Sequence, residues 1–251
     1  MLRLLSWNVL ADAYVQPAYY PHSDPAVIAR GARTAGIVAY LGASDADVAC
    51  LQEAEPALID ALRRAGGWDV HYASKLGRPD GCAILARGAA TLTDARTIAF
   101  ADGAPDRDDS GHIALCATIR CGALRYAVGT SHLRWDPPGT APDQRWATRQ
   151  VPPWLAALGP LDRAVVCGDL NVEPGDLAYR MLLDAGLVDP MAGALAPTAN
   201  PNGRAKRIDH ILCGSALVAT PLSVMAIDDA TPLPSRAMPS DHVPIAVAIT
   251  G

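Results

Sequence analysis

The chain has 251 residues, a formal net charge of −5 and a hydrophobic content of 50%. This length and apolar content predict a compact globular protein, since a disordered chain lacks the apolar surface for a core. The negative charge argues against a protein that coats long nucleic acid through a basic surface, so we expect no binding to long duplex DNA. It leaves open a small phosphorylated substrate, or a nucleic-acid end held by a few arginines and a metal ion.

Six cysteines are scattered along the chain, mostly inside apolar runs, and no C-x-x-C pair occurs. We therefore expect buried free thiols in a reducing compartment, and no zinc or thioredoxin-like site. No apolar run reaches the about 18 residues that would span a bilayer, and the first residues lack the pattern of a secretory signal peptide. These features predict a cytoplasmic protein with no membrane association.

Strand-like and helical patterns mix along the whole chain without a repeat or a clear linker, which predicts a single domain over residues 1–251. Short apolar runs predict strands over 2–10, 47–53, 68–73, 81–86, 113–119, 124–129, 165–169, 207–212, 217–227 and 243–249. Apolar residues at helical spacing predict helices over 26–41, 56–65, 143–158 and 176–185. Pro152 and Pro153 should interrupt the third helix. Loops are predicted over 11–25, 101–111, 134–142 and 190–203.

Polar side chains occur where the apolar runs end. The run from Val165 leads through Gly168 to Asp169 and Asn171. Residues two apart in an extended segment face the same side, so the side chains of Asp169 and Asn171 would face the same place. The alternative is a strand followed by an ordinary Asx turn. Other runs end in the same way, at Asn8, Glu53, His132, Asp209, Asp241 and His242, and strand ends on one rim of a sheet would converge.

Oxygen ligands are the ones that a hard divalent cation prefers, and Mg²⁺ takes carboxylates and waters at about 2.0–2.1 Å. Glu53 with Asn8 and Asp241 could supply such a site, whereas zinc would call for cysteines or closely spaced histidines. A histidine paired with a carboxylate stays oriented and can hold a phosphoryl oxygen. Purely structural roles remain open for four polar residues. Asn8 could cap a strand, His210 could pack in the core, and Asp12 and His22 could be loop residues without a direct role.

Five motifs along the chain resemble the endonuclease/exonuclease/phosphatase superfamily: SWN at 6–8, LQE at 51–53, GDLN at 168–171, IDH at 208–210 and SDH at 240–242. A closer resemblance is to the deadenylase branch, with the CCR4, nocturnin, Angel and 2′-phosphodiesterase proteins. It rests on SWNVLADAY at 6–14, DGCAILAR at 80–87, SHLRWDP at 131–137 followed by Arg145 and Gln150, and PSDH at 239–242. Compared with eukaryotic members, we expect no amino-terminal extension and shorter loops, which argues against a polymer substrate and against partner binding.

The resemblance implies a four-layer α/β sandwich, in which two mixed β-sheets lie face to face with helices on the outside. It also implies phosphoester hydrolysis that depends on Mg²⁺ or Mn²⁺. Glu53 would be the principal metal ligand, helped by Asn8 and Asp241.

The same resemblance assigns roles to the remaining polar residues. Asp169 would orient and deprotonate the attacking water, and Asn171 would hold the scissile phosphate. His242 would pair with Asp209, and His132 would bind a phosphate oxygen. Further phosphate contacts are expected from Lys75, Arg134 and one of Arg204 or Arg207.

The leading hypothesis is therefore a monomeric metal-dependent hydrolase for an RNA end or a nucleotide. Its substrate would be a 3′-end phosphodiester, a 2′- or 2′,3′-cyclic phosphate, or a small nucleotide. Aromatic side chains of the loops would stack on bases or only anchor the loops: Tyr14, Tyr19, Tyr20 and Trp135. No G-x-S-x-G motif occurs, so a covalent mechanism is not expected.

Two alternatives remain open. One is a phosphatase or phosphodiesterase for a non-nucleotide substrate, such as an inositol phosphate, a phospholipid headgroup or a biosynthetic intermediate. The other is a non-catalytic binding module, which would be expected to have lost an acid or imidazole of the set, and none is missing. A DNA-repair endonuclease would need a basic surface that this composition does not indicate.

Overall fold

A computed structural model describes residues 1–104, 107–193 and 196–250. Within these ranges it contains twelve strands in two six-stranded sheets. The first sheet contains β1 (Leu2–Asn8), β2 (Val48–Ala54), β3 (Asp69–Ser74), β4 (Gly81–Ala86), β11 (Val218–Pro221) and β12 (Ile245–Thr250). The second contains β5 (Ala90–Ala99), β6 (Ile113–Cys121), β7 (Leu124–His132), β8 (Ala164–Asp169), β9 (Leu187–Val188) and β10 (Asp209–Gly214). The strand orders are β11-β12-β1-β2-β4-β3 and β5-β6-β7-β8-β10-β9.

The α-helices of the described ranges are α1 (Thr34–Ala43), α2 (Pro56–Ala65), α3 (Trp146–Leu158) and α4 (Leu177–Asp184). The longest, α3, has 13 residues, and none in the described part of the chain is both long and apolar enough to cross a bilayer. Two of the predicted loops, 101–111 and 190–203, include residues 105, 106, 194 and 195, which lie outside the described residues.

Alternation along the strands divides the apolar residues between three layers of core. In β1, Leu2 and Leu4 belong to the core between the sheets, while Leu5 and Trp7 pack with α1 and α2. Strand β8 divides in the same manner, since Val165 lies between the sheets and its neighbours pack on α3 and α4. Successive side chains of a strand point to opposite faces, so each central strand contributes side chains to two layers of core. The four-layer α/β sandwich predicted from the sequence is confirmed.

Two predicted helices differ from those observed. The helix predicted from residue 26 begins only at Thr34. Before it, the Gly31 N–H donates to the Asp12 carboxylate and the buried Arg33 guanidinium donates to the carbonyl oxygens of Val9 and Leu10. These long-range bonds hold the segment in turns. Helix α3 continues through the two prolines at 152 and 153, both of which face solvent, where water can satisfy the carbonyl groups that proline leaves without a donor.

The centre of each sheet is a parallel pair of strands, β1 with β2 and β7 with β8. Their carboxyl ends meet at one rim, where Asn8 is the register partner of Gln52, and His132 that of Asp169. Strand β10 runs antiparallel to β8 and begins at the same rim, with Asp209 opposite Asp169. The ends of both sheets therefore supply polar side chains to one place.

Gly168 is needed where β8 reaches this rim. Its φ is +143°, and a Cβ added there would lie 1.9 Å from the Ser131 carbonyl oxygen. We expect Gly168→Ala to lower the free energy of unfolding by roughly 3 kcal/mol or more, through overpacking and backbone strain. Gly42→Ala is the matched control, because a Cβ at Gly42 in α1 would meet no atom within 4 Å and should stabilise by about 0.5–1 kcal/mol. Urea unfolding of both variants checks this, and equal stabilities would contradict it.

Candidate active site

Glu53 reaches the rim through a β-bulge. The pairing of β2 with β4 shifts register between Gln52 and Ala54, and Glu53 has a φ of +56°, which is uncommon for a residue other than glycine. In a regular strand its side chain would follow Leu51 toward α1 and α2, but a bulge re-aims the side chain. Glu53 Oε1 accepts a hydrogen bond from Asn8 Nδ2 at 3.0 Å, and Oε2 accepts one from the Ala11 N–H at 2.9 Å. Burial raises the pKa of Glu53, and Lys75 and Asn8 oppose that rise.

Asp169 lies at the centre of the site. Its Oδ2 accepts from Asn8 Nδ2 at 2.9 Å, and its Oδ1 accepts from the Asn171 backbone N–H at 3.0 Å. Asn8 therefore joins the carboxylates of Glu53 and Asp169. Burial raises the pKa of Asp169 to about 7, with Asp209 and Glu53 adding to the rise and His242 opposing it. A carboxylate with a pKa near neutrality suits a general base.

His242 lies on one side of Asp169 and is held by a second carboxylate. Its Nδ1 is 2.8 Å from Asp209 Oδ2, and its Nε2 is 3.7 Å from Asp169 Oδ2. Asp209 Oδ2 also accepts from the Thr198 hydroxyl at 2.7 Å. Burial acts to lower the pKa of His242, but Asp209 and Asp169 raise it further, and the net result is well above the usual value. This raised pKa favours the imidazolium form of His242, in which Nδ1 donates to Asp209 and the Nε2–H faces Asp169.

His132 lies on the other side of Asp169 with the opposite protonation. Its Nε2 is 3.6 Å from Asp169 Oδ2. Burial, and after it the charge of Lys75, lower the pKa of His132 well below the usual value. The His112 ring packs edge-on against it with centroids 5.8 Å apart, and burial lowers the pKa of His112 to about 2. Asp169 thus lies between two imidazoles whose pKa values are shifted in opposite directions.

Asp241 carries an unpaired oxygen. Its Oδ2 accepts from the Tyr20 hydroxyl at 3.0 Å, while Oδ1 is buried with no partner among the described residues. A buried carboxylate oxygen without a partner is costly, and a cation is one way to satisfy it. The oxygen of Asp241 that lacks a partner therefore suits a cation, and a site that Asp241 shares with Glu53 stays a prediction. Ligand atoms of Glu53, His132 and Asp169 also lie within 4.8 Å of one another, a grouping that does not include Asp241.

Asn8 is placed differently from its predicted role as a metal ligand. Its amide nitrogen faces the two carboxylates, whereas its Oδ1 accepts from the Leu10 N–H at 2.9 Å. In this arrangement Asn8 is a donor that holds the acids together. Asn171 lines the cleft as predicted, and its Nδ2 donates to the Leu133 carbonyl oxygen at 2.9 Å.

A cleft of about 440 Å³ opens over these groups. Basic and aromatic side chains line it: Lys75, Arg78, Arg134 and Lys206, with Tyr14, Tyr19, Tyr20 and Trp135. Lys75 and Arg134 are therefore where the sequence predicted, although Lys75 is only 3% exposed. Arg78, His112 and Lys206 were not among the predicted site residues.

Arg207, which was predicted to contact phosphate, does not line the cleft. Its Nη2 lies 2.5 Å from Asp189 Oδ2 in the interior, and neither Arg207 nor Arg204 is among the lining residues. Lys206 lines the cleft instead. Neighbouring residues of an extended segment face opposite sides, so a shift of one position exchanges the residue that reaches the site. Lys206 therefore replaces Arg207 as the residue proposed for a phosphate contact.

Residues 5–242 match the model of the endonuclease/exonuclease/phosphatase family. The chain belongs to this family. The family predicted from the motifs, and an enzyme of its phosphodiesterase and phosphatase type, are thereby confirmed.

Two relatives indicate the branch. An Arabidopsis thaliana carbon catabolite repressor protein 4 homolog 4 is 24% identical over 322 residues, which cover 97% of this chain and 76% of that protein. The Danio rerio protein angel homolog 2 is 27% identical over 205 residues, which cover 73% of the chain and 35% of the relative. The chain thus spans about three quarters of the plant relative and about a third of the fish relative.

Solved structures share the fold. ANGEL2, a 2′,3′-cyclic phosphatase in complex with adenosine-2′,3′-vanadate, has a TM-score of 0.79 at 20% identity, over 99% of this chain and 95% of that one. The human nocturnin catalytic domain with bound sulfate has a TM-score of 0.73 at 21% identity, over 99% and 93%. A Bacteroides thetaiotaomicron mannosyl-6-phosphatase has a TM-score of 0.72 at 20% identity, over all of both chains. At these identities the likeness is one of fold.

Proposed function

We propose that the protein hydrolyses a phosphoester of an RNA end or of a nucleotide, with Mg²⁺ or Mn²⁺ and by in-line attack of water. The observation that carries the proposal is the placement of Asp169 between two imidazoles, with its Oδ2 3.7 Å from His242 Nε2 and 3.6 Å from His132 Nε2. Such a carboxylate can take a proton from water while both imidazoles donate to the phosphoryl group. Phosphoryl transfer needs positioning and charge neutralisation rather than a covalent intermediate.

Each residue has one part in this scheme. Asp169 accepts the proton of the attacking water and is held in place by Asn8 and by the Asn171 N–H. The imidazolium of His242, held by Asp209, donates to a phosphoryl oxygen, as does the Nε2–H of His132. A divalent cation held by Glu53 and Asp241 would neutralise charge on the phosphate and the leaving oxygen.

The lining of the cleft supports a nucleotide over a plain phosphate monoester. Arg78, Arg134 and Lys206 supply charge for phosphate groups, and Trp135 is 51% exposed beside them. A base can stack on such an indole, and Tyr14 and Tyr19 line the same cleft. The 2′,3′-cyclic phosphatase among the solved relatives holds an adenosine derivative, which adds support for a short RNA end. A membrane substrate is not part of the proposal.

The test is a substrate panel with Mg²⁺, Mn²⁺ or EDTA. It contains a 3′-oligoadenylate RNA, an RNA that ends in a 2′,3′-cyclic phosphate, NADP, a dinucleotide, an inositol phosphate and mannose 6-phosphate. We expect metal-dependent turnover of at least one RNA or nucleotide member. The Glu53→Gln protein is the blank, and Asp60→Asn, at an exposed position of α2, is the control. Turnover of only the inositol or sugar phosphate would replace the proposal with a non-nucleotide phosphatase. Activity that survives both EDTA and Glu53→Gln would overturn the proposed metal site.

A further inference from the structure

Asp80 is a buried acid that opens the DGCAILAR motif and has no part in the proposed chemistry. It is 0% exposed at the entry to β4 and does not line the cleft. Its Oδ2 accepts from Lys75 Nζ at 2.6 Å, and its Oδ1 accepts from the Tyr14 hydroxyl at 2.7 Å. Lys75 Nζ lies 3.1 Å from His132 Nδ1. Four side chains thus form one continuous hydrogen-bonded chain, which we call the Tyr14–His132 relay (Tyr14, Asp80, Lys75, His132).

The direction of the last bond is fixed by chemistry. A lysine ammonium carries three donors and no acceptor. Its bond to His132 must therefore end on a lone pair at Nδ1, and a neutral imidazole with a free Nδ1 carries its proton on Nε2. That nitrogen is the one 3.6 Å from Asp169 Oδ2. The relay consequently presents an N–H to the place where a phosphoryl oxygen would lie.

Backbone contacts fix the positions of Lys75 and Asp80 relative to each other. The Lys75 N–H donates to the Asp80 carbonyl oxygen at 2.9 Å, which closes the base of the loop between β3 and β4. Gly81 follows at once, and a Cβ there would lie 2.0 Å from the Ala73 carbonyl oxygen. Because the carboxylate of Asp80 balances the charge of Lys75, a cation beside a buried imidazole becomes tolerable. The low pKa of His132, caused first by burial and then by Lys75, agrees with a neutral ring.

We propose that Asp80 and Lys75 are positioning residues that lock His132 as the neutral tautomer protonated on Nε2, with the Tyr14 hydroxyl fixing Asp80. The part of this inference that concerns turnover rests on the proposed function. It changes the role of Lys75 from a phosphate contact, as expected from the sequence, to the group that sets a tautomer. Asp80 acts through Lys75 and touches no substrate.

The first experiment is nitrogen NMR of the histidine side chains in the intact protein, with His132→Gln used to assign the signals. We expect Nε2 of His132 to be protonated and Nδ1 to be free, with or without Mg²⁺. In Asp80→Asn the ammonium loses its charged partner, and a mixture of tautomers is expected. A wild-type His132 protonated on Nδ1 would overturn the inference. The measurement needs no substrate, so it stands even if the proposed function fails.

The second experiment is kinetic, on whichever panel member is turned over. Asp80→Asn should lower kcat by about 10–100-fold with little change in KM, as for other residues that orient a catalytic group. Tyr14→Phe keeps the ring that lines the cleft and should lower kcat by a smaller factor. Tyr72→Phe, which removes a hydroxyl bonded to Ser74 on β3, is the control and should match the wild type. An Asp80→Asn protein that raises KM at constant kcat would mean that Lys75 only binds phosphate. If Asp80→Asn does not fold, the kinetics of Tyr14→Phe and the NMR spectrum of the wild-type protein test the inference instead.

Discussion

Asp169→Asn is expected to lower the hydrolytic rate by about 10²–10⁴-fold, the usual worth of a general base. An asparagine keeps the size of the side chain and one carbonyl oxygen, which can accept from Asn8 or from the Asn171 N–H but not from both. It cannot take a proton from water. Substrate affinity should change little, since the imidazoles and basic residues that would hold phosphate remain. The measurement is kcat and KM on an active panel member in saturating Mg²⁺.

A second measurement separates lost chemistry from lost structure. Burial raises the pKa of Asp169 to about 7 in the metal-free fold, far above the value of about 3.9 for an exposed aspartate. A raised acid pKa means that ionisation opposes folding, so this carboxylate reduces stability increasingly as the pH rises from about 4 to 7. Asp169→Asn should therefore unfold at a higher temperature than the wild type at pH 8 without metal. Asp184→Asn, at an exposed position of α4, should change neither property. A near-normal rate in Asp169→Asn would remove Asp169 from the proposed mechanism.

The rim of polar residues could be predicted because it follows from strand ends. Asn8, His132, Asp169 and Asp209 each terminate or begin a central strand, and parallel neighbours must deliver their carboxyl ends to one edge. Glu53 was predicted for the same reason, because it ends an apolar run. The bulge that turns its side chain to the rim was not expected. Period-two alternation alone would have pointed its side chain toward the outer helices.

Contacts between distant segments could not be predicted. The late start of α1 depends on Arg33 bonding carbonyl oxygens more than 20 positions away, which no local pattern encodes. Lys206 rather than Arg207 lines the cleft because of the way that the segment before β10 faces. The bond from Tyr14 to Asp80 joins a rim loop to the hairpin of β3 and β4 across 66 positions. The sequence predicted the carboxylates and two imidazoles of the cleft but not Arg78, His112 or Lys206. Only the packed sheets show which groups pair.

Glu53→Gln is expected to abolish the gain in stability that Mg²⁺ or Mn²⁺ gives the wild type and to lower the rate by about 10²-fold or more. Burial raises the pKa of Glu53, and the charge of Asp241 raises it further. A divalent cation between the two carboxylates would offset that repulsion. A glutamine retains one oxygen, which can accept from Asn8 or from the Ala11 N–H but not from both. The bulge should persist with one of these bonds while the charge is lost. Calorimetric titration with Mn²⁺ measures the binding directly.

Thermal unfolding gives an independent readout of the same variant. A ligand that binds only the folded state at 100 times its Kd stabilises it by about 2.7 kcal/mol, so wild type and Asp60→Asn should both melt higher as Mg²⁺ is added. Glu53→Gln should melt at one temperature throughout the titration. A variant that binds and responds to Mg²⁺ as the wild type does would place the cation elsewhere, and the cluster of Asp169, Asp209 and His242 would then be the position to test. That outcome would also change the mechanism, because a cation there would compete with the imidazolium of His242 for the carboxylates that hold it.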